Sequence, residues 1–422
     1  MNSVCYIDAA IQNNAGHHAN SCRYIVGEFR RRGFLVHSYG NRNMDPTLAR
    51  ELQIQPLFRH LPYNRVRGIG HFPYLVERSS FLNNLESAWL GGPYDLVFFP
   101  FVLAAQFAAI ALWLRRFRPN EAPFVAICFD TTSGNNVNDH HRYYTPYYRK
   151  AGKSFRKEYL PRTLLFTYDP AITSDYAELT KLPIRTMPAV HTGFGEPRVR
   201  KRELDGRITV AFLGHQRVEK GYHLIPEIAR RVGSKGLPVR LLVHNSATDD
   251  SAASRELRAL ARELAYFTFI EEPSDHLQWQ NLIDRSDLIV LPYEPNRYRQ
   301  SGSGVATEAV GSGVPMVVPS GTTMEALAVQ YQGCASAFSN WTAEAVTNAI
   351  EQAVANFDVL AKQAEAGALE WRRSNGVGQF VDSLLEIVPH NGRPPAVKPA
   401  RRTIRDVMMD WVLDSILSLG VR

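Results

Sequence analysis

The chain has 422 residues, 45% hydrophobic and 21% charged, a balance that belongs to folded domains and excludes a disordered or fibrous chain. One core is too few at this length, so two domains are expected. The formal net charge of +7, spread over short clusters at 30–32, 115–118, 198–202 and 401–405, suits an anionic partner such as a nucleotide, a nucleic acid or an acidic lipid.

The first half alternates strand and helix. A strand at 4–7 leads through a polar loop at 12–18 into a helix reaching residue 32, and further strands follow at 34–38, 96–99, 124–128, 164–167 and 184–188. The apolar run 96–114 approaches the length of a membrane span, but Pro100 and Gln106 interrupt it. Its LVFF start and alanine-rich continuation read as a buried strand followed by a buried helix. The segment GFGEPRVRKRELDG is charged and poor in core residues, and reads as an interdomain linker over 196–206. Alternation then resumes, with strands at 208–212, 239–243, 268–270 and 288–291. Helices are expected at 222–232, 254–264 and 277–286, and from 344 to 387.

The expected fold class is α/β, with two doubly wound Rossmann-like domains, 1–195 and 207–388, facing a cleft. Ligands are expected at the carboxyl ends of the strands and in that cleft. The tail 389–422 is basic and proline-rich before a helical stretch. It is expected to pack on the body, pair with another chain or touch a membrane surface. Cys5, Cys22, Cys128 and Cys334 form no C-x-x-C pair, so neither a zinc site nor a disulfide framework is indicated. The first strand has no basic leader, which reads as a cytoplasmic setting.

Two segments carry chemistry. Strands at 288–291 and 315–319 flank Ser301-Gly302-Ser303-Gly304, which opens a short helix carrying Glu308 and ending at the turn 311–313. Glycines let a backbone approach a ligand, and the free N–H groups of a helix N-terminus, with its dipole, face an anion. Glu308, one turn in, stands where a carboxylate grips ribose hydroxyls. The segment reads as a nucleotide-diphosphate site. The second is Gly214-His215-Gln216-Arg217-Val218-Glu219-Lys220-Gly221, after the strand at 208–212. Arg217 as a fork and Lys220 as a point charge suit the neutralisation of a diphosphate without a metal.

FLGHQRVEKG and SGSGVATEAVGSGVPMVVP stand about eighty residues apart with SDLIVLPY between them. Together they resemble the donor half of GT-B glycosyltransferases, and more narrowly the retaining glycosyltransferase family 4 group, over residues 208–330. The resemblance implies transfer of a sugar, with retention, from a nucleotide-diphosphate sugar to an acceptor hydroxyl on a glycan, polysaccharide or lipid-linked saccharide. It implies no cofactor beyond that substrate. Lys220 matches the family lysine on the donor diphosphate, and Glu308 the second glutamate of E-x7-E, which binds the ribose. His215 stands at the family arginine, leaving Arg217 to supply that charge. Gln300 stands at the first glutamate, which touches the transferred sugar or the reacting phosphate. An amide bonds sugar hydroxyls there without bringing a negative charge.

In the family the loop after the first strand lies near donor phosphates and acceptor. This implies such a place for Gly16, with His17 and His18 able to bond phosphate or acceptor hydroxyl. A family histidine that follows a mid-domain strand is missing after 124–128. Asp130 is expected to take over that histidine's contact to a sugar hydroxyl, with His140 and His141, in the run HHRYYTPYYRK, as acceptor-side alternatives. No D-x-D triplet occurs, which agrees with neutralisation by Lys220, Arg217 and a helix terminus in place of a metal. Peripheral membrane contact through the tail is expected as well. Two other classes share the architecture: a nucleotide-sugar epimerase and a non-catalytic nucleotide-sugar-binding protein.

Overall fold

A computed structural model describes residues 3–387 apart from 15–16, 64–69, 132, 134–142, 191–196, 198, 216 and 247. Gly16, His140, His141 and the tail 389–422 therefore lie outside the described residues. The chain divides into two compact units, one made of residues 1–188 with 380–422, the other of residues 189–379.

The first unit is built on seven strands: β1 (Ser3–Ile7), β2 (Leu35–Asn41), β3 (Ile54–Phe58), β4 (Leu96–Phe99), β5 (Phe124–Cys128), β6 (Thr163–Thr167) and β7 (Ile184–Thr186). They form one sheet in the order β3-β2-β1-β4-β5-β6-β7, and every pairing is parallel. The central strands β4 and β5 are buried along their whole length, as a sheet covered on both faces requires. The apolar run resolves as expected into β4 and the helix Ala104–Leu114, which is buried on almost every side. Trp113 of that helix meets Trp89 and Phe117 edge-on. No helix among the described residues is long and apolar enough to cross a membrane.

The second unit repeats the plan with β8 (Ile208–Phe212), β9 (Val239–Asn245), β10 (Phe267–Glu271), β11 (Leu288–Val290), β12 (Met316–Pro319) and β13 (Cys334–Phe338). Their order is β10-β9-β8-β11-β12-β13, again all parallel. Two strands were not expected. β3 carries Pro56 and β13 reads CASAF; both are edge strands, where a missing donor or small side chains cost little.

The expected domain boundaries need correction at both ends. The second unit begins at Ala189, and the 196–206 stretch is part of it, not a linker. Arg200 is buried, with Nη1 donating to the Asp284 carbonyl. Arg202 donates to the Val354 carbonyl at 2.7 Å and lies over the Phe357 ring. Long arginine stems bury like apolar chains while their heads satisfy carbonyl groups, which composition alone conceals. At the other end the helix Val377–Ile387 returns to the first unit from Phe380 onward. Phe380 packs against Phe98 and Phe166, both at 5.7 Å, and Arg32 pairs with Asp382.

Arg32 and Arg31 also clamp Glu28 at 2.7 Å. Hydrogen bonds from Arg31 first, and then from Arg32, outweigh burial and hold its carboxyl at about 2, below the ordinary 4.5. A depressed folded value stabilises the protein above the unfolded value and is lost as pH falls through the folded one. Acid melting curves should therefore show wild-type stability declining between about pH 4.5 and pH 2 by more than in Glu28→Gln, which lacks that titration.

Candidate functional site

Where strand order reverses in an open parallel sheet, neighbouring crossovers leave on opposite faces and open a crevice at the carboxyl ends. In the second sheet the reversal falls between β8 and β11, and both chemistry-bearing segments start there. Gly214, with φ +118°, turns the chain out of β8 into a loop that ends in the 3-10 turn Val218–Lys220. A Cβ built on Gly214 would lie 3.6 Å from Lys220 Nζ and 3.7 Å from Val305 Cγ2, so the loop and the helix Gly304–Gly311 converge on one spot.

The loop is tied to the segment after β11. The Glu294 N–H donates to the Glu219 carbonyl at 2.9 Å, and the Lys220 ammonium lies 5.2 Å from the centre of the Tyr293 ring. Burial pushes the Lys220 pKa down, and the neighbouring Glu219 and Glu308 carboxylates offset this only in part, because desolvation disfavours a cation. Arg217 is exposed and pairs with Glu219 at 3.3 Å. His215 Nδ1 meets Ser246 Oγ at 2.7 Å, and its pKa is lowered by burial, then by the charges of Arg217 and Lys220. The Gln300 side chain is partly exposed just before the glycine-serine turn.

That turn caps the helix Gly304–Gly311. Ser303 is its N-cap, accepting from the Ala306 N–H, and the Ser301 carbonyl accepts from Thr323 Oγ1 at 2.7 Å. Gly302 and Gly304 are exposed. A Cβ on Gly304 would meet nothing within 4 Å, so packing does not demand a glycine there. Glu308 accepts a 2.6 Å hydrogen bond from the indole N–H of Trp279, a partner absent from the sequence-based site. No spacing signal links the two residues; a lone tryptophan on an amphipathic helix reads as core.

In the first sheet the reversal lies between β1 and β4. The helix after β1 begins at His17, so His17 and His18 occupy its first turn and not a loop. His18 is buried. Its Nδ1 lies 2.9 Å from Asp8 Oδ2 and its Nε2 2.7 Å from the Tyr63 hydroxyl. The other Asp8 oxygen accepts from the Ala10 N–H. A carboxylate only accepts, so Nδ1 carries a proton, and in the neutral ring Nε2 then accepts from the Tyr63 hydroxyl. Tyr63 is 44% exposed, so Asp8–His18–Tyr63 is a hydrogen-bonded chain running from the interior to the surface. The His17 ring lies tilted against His18 with centroids 4.2 Å apart, and its Nε2 lies 3.3 Å from Asp130 Oδ2. His17, His18 and Asp130 are thus brought together at the head of the first sheet. Asp8 and Tyr63 joined them without a sequence signal, being remote in the chain.

No protein-family model matches the sequence, and no curated protein does so. Solved structures do. A glycosyltransferase from Rickettsia africae is 12% identical, with a TM-score of 0.61 over 92% of this chain and 97% of that one. HepE of Anabaena, solved in complex with UDP, is also 12% identical, at 0.61 over 92% and 99%. A putative UDP-N-acetylglucosamine 2-epimerase from Listeria monocytogenes is 14% identical, at 0.58 over 94% and 99%. At such identities the likeness concerns the backbone. The chain has the GT-B fold.

Proposed function

We propose that this protein is a glycosyltransferase of the family 4 type, moving a hexosyl unit with retention from a nucleotide-diphosphate sugar to an acceptor hydroxyl without a metal. One observation carries the reading: Lys220, desolvated and without an anionic hydrogen-bond partner in the described contacts, converges with the N-terminus of the helix bearing Glu308 at the sheet's reversal. A diphosphate supplies a direct anionic partner. Arg217 and the Ser301–Gly304 backbone add donors, and His215 and Gly214 line the same turn. Charge developing on the leaving phosphate is the largest to be stabilised in such a reaction. Gln300 then contacts the transferred sugar, and the leaving phosphate takes the acceptor's proton on the front face. Asp130 contacts a hydroxyl of the transferred sugar, the acceptor is a glycan or lipid-linked saccharide contacted by His17 and His18, and the protein works in the cytoplasm or at the membrane's inner face. The UDP bound by HepE supports a nucleotide donor.

A thermal-shift screen against UDP-, GDP- and ADP-sugars tests this. A ligand at a hundred times its Kd should stabilise the wild type by about 2.7 kcal/mol and leave Glu308→Ala unshifted; no shift with any of them refutes the reading. Product formation without acceptor would instead favour the epimerase class.

The Asp8–His18–Tyr63 chain favours a second reading, transfer with inversion. There the acceptor hydroxyl gives its proton to the Tyr63 oxygen as Tyr63 passes its own to His18 Nε2, and Asp8 stabilises the imidazolium. The anomeric configuration of the first product, read by NMR, separates the two.

A further inference from the structure

We infer that Trp279 positions the Glu308 carboxylate and thereby sets the protein's preference for ribose over deoxyribose in the bound nucleotide. The inference rests on the donor-site reading above and deepens it.

Trp279 sits on the helix His276–Asp284, whose entry is fixed by a reciprocal cap. Asp275 accepts from the Leu277 and Gln278 N–H groups at 2.9 Å, and the Gln278 side chain accepts from the Asp275 N–H at the same distance. The indole ring stands edge-on to His244, with centroids 5.8 Å apart. His244 is itself buried, its Nε2 held by the Glu272 carbonyl at 3.0 Å and Ser274 Oγ at 2.9 Å. The indole is therefore set from its helix and from its face, and its N–H has one direction open, toward Glu308 Oε2 at 2.6 Å. That distance is short for an N–H donor, as a charge-assisted bond is.

A carboxylate has about four lone-pair sites. Holding one of them on Trp279 restrains the plane of the group and so the directions of the others, which is what two adjacent hydroxyls on a ribose require. Without the indole the carboxylate loses that tether, and a ligand that donates to it must supply more of the ordering itself. Trp279 is thus a positioning residue. It acts on the ribose hydroxyls through Glu308 and touches no reacting atom.

The experiment is calorimetric titration of the full chain with UDP, GDP and ADP, and then with the 2′-deoxy and 3′-deoxy forms of whichever binds. Wild type should prefer the ribose form by roughly ten- to hundredfold, the worth of a hydrogen bond to a charged group. Trp279→Phe should lose most of that preference while still binding the deoxy forms as wild type does. Glu308→Ala should lose it as well, and the double variant should be no worse than Glu308→Ala alone. A general structural loss would weaken ribose and deoxyribose forms alike. If the phenylalanine variant does not fold, benzothienylalanine at position 279 removes only the N–H donor. Unchanged discrimination in a folded variant overturns the inference and leaves the donor site standing. Failure of all three diphosphates to bind wild type overturns the donor site, and this inference with it.

Discussion

Lys220→Met should sharply reduce diphosphate-dependent turnover while making the unliganded protein more stable. Lys220 is partly exposed as a residue, yet its ammonium lies desolvated against Tyr293, and burial lowers its pKa below the ordinary 10.5. For a lowered folded value, the stability contribution is present above the unfolded pKa and lost as pH falls through the folded one. At neutral pH the cation therefore counts against the fold, and methionine, of similar length, removes that penalty. A melting curve without ligand should move upward. Turnover should fall by about a hundred- to a thousandfold, or roughly 2.7–4 kcal/mol of transition-state stabilisation, as when an oxyanion donor is deleted. The same lowered pKa gives an alkaline limb. Diphosphate affinity in wild type should decline at a lower pH than an exposed lysine would allow, whereas Lys220→Arg should hold its charge past that limb. A Lys220→Met protein that turns over normally would remove the diphosphate assignment.

Gly221→Ala should be the most damaging single methyl in the site. Gly221 has φ +72°, and an added Cβ would lie 1.9 Å from the Pro292 carbonyl oxygen and 2.8 Å from its carbon. Both are backbone atoms of the segment leaving β11, so no side chain can swing aside. The left-handed strain and the clash together should cost roughly 3 kcal/mol or more, read as a fall in melting temperature. Because the displaced turn carries Lys220, donor affinity should fall with it. Gly304→Ala is the matching control. Its Cβ meets nothing and its φ is not in the left-handed region, so folding should stay near wild type. Diphosphate affinity should nevertheless drop, since a methyl there stands in the path of a ligand approaching the helix N-terminus. Equal affinity in Gly304→Ala would mean that no ligand comes close to that backbone.

Much of the fold was legible because parallel strands buried on both faces must be written as short apolar runs between helices. LVFF at 96–99 and ITVAF at 208–212 are such runs, and both are strands with those bounds. β3 and β13 escaped notice because edge strands are free of that rule. The 196–206 stretch misled because Arg200 and Arg202 serve as core and cap at once, their charge hiding the packing. The last helix was assigned to the wrong unit for a related reason. The apolar face of Val377–Ile387 is plain in the sequence, but an apolar face does not say which sheet it covers.

The candidate site divides in the same way. Gly214–Lys220 and Ser301–Glu308 are local motifs, whose glycines and charges lie within a few residues of one another and announce an anion by composition. The sequence by itself therefore determined the α/β alternation, the two sheets and the two loops whose composition suits an anion. Only the tertiary structure decided that Trp279 holds Glu308, that Asp8 and Tyr63 enclose His18, and that Phe380 returns to the first unit. Periodicity and turn chemistry are properties of neighbours along the chain, while these contacts join residues 10 to 45 positions apart or more, and which loops face one another is set by strand order, which no local pattern encodes.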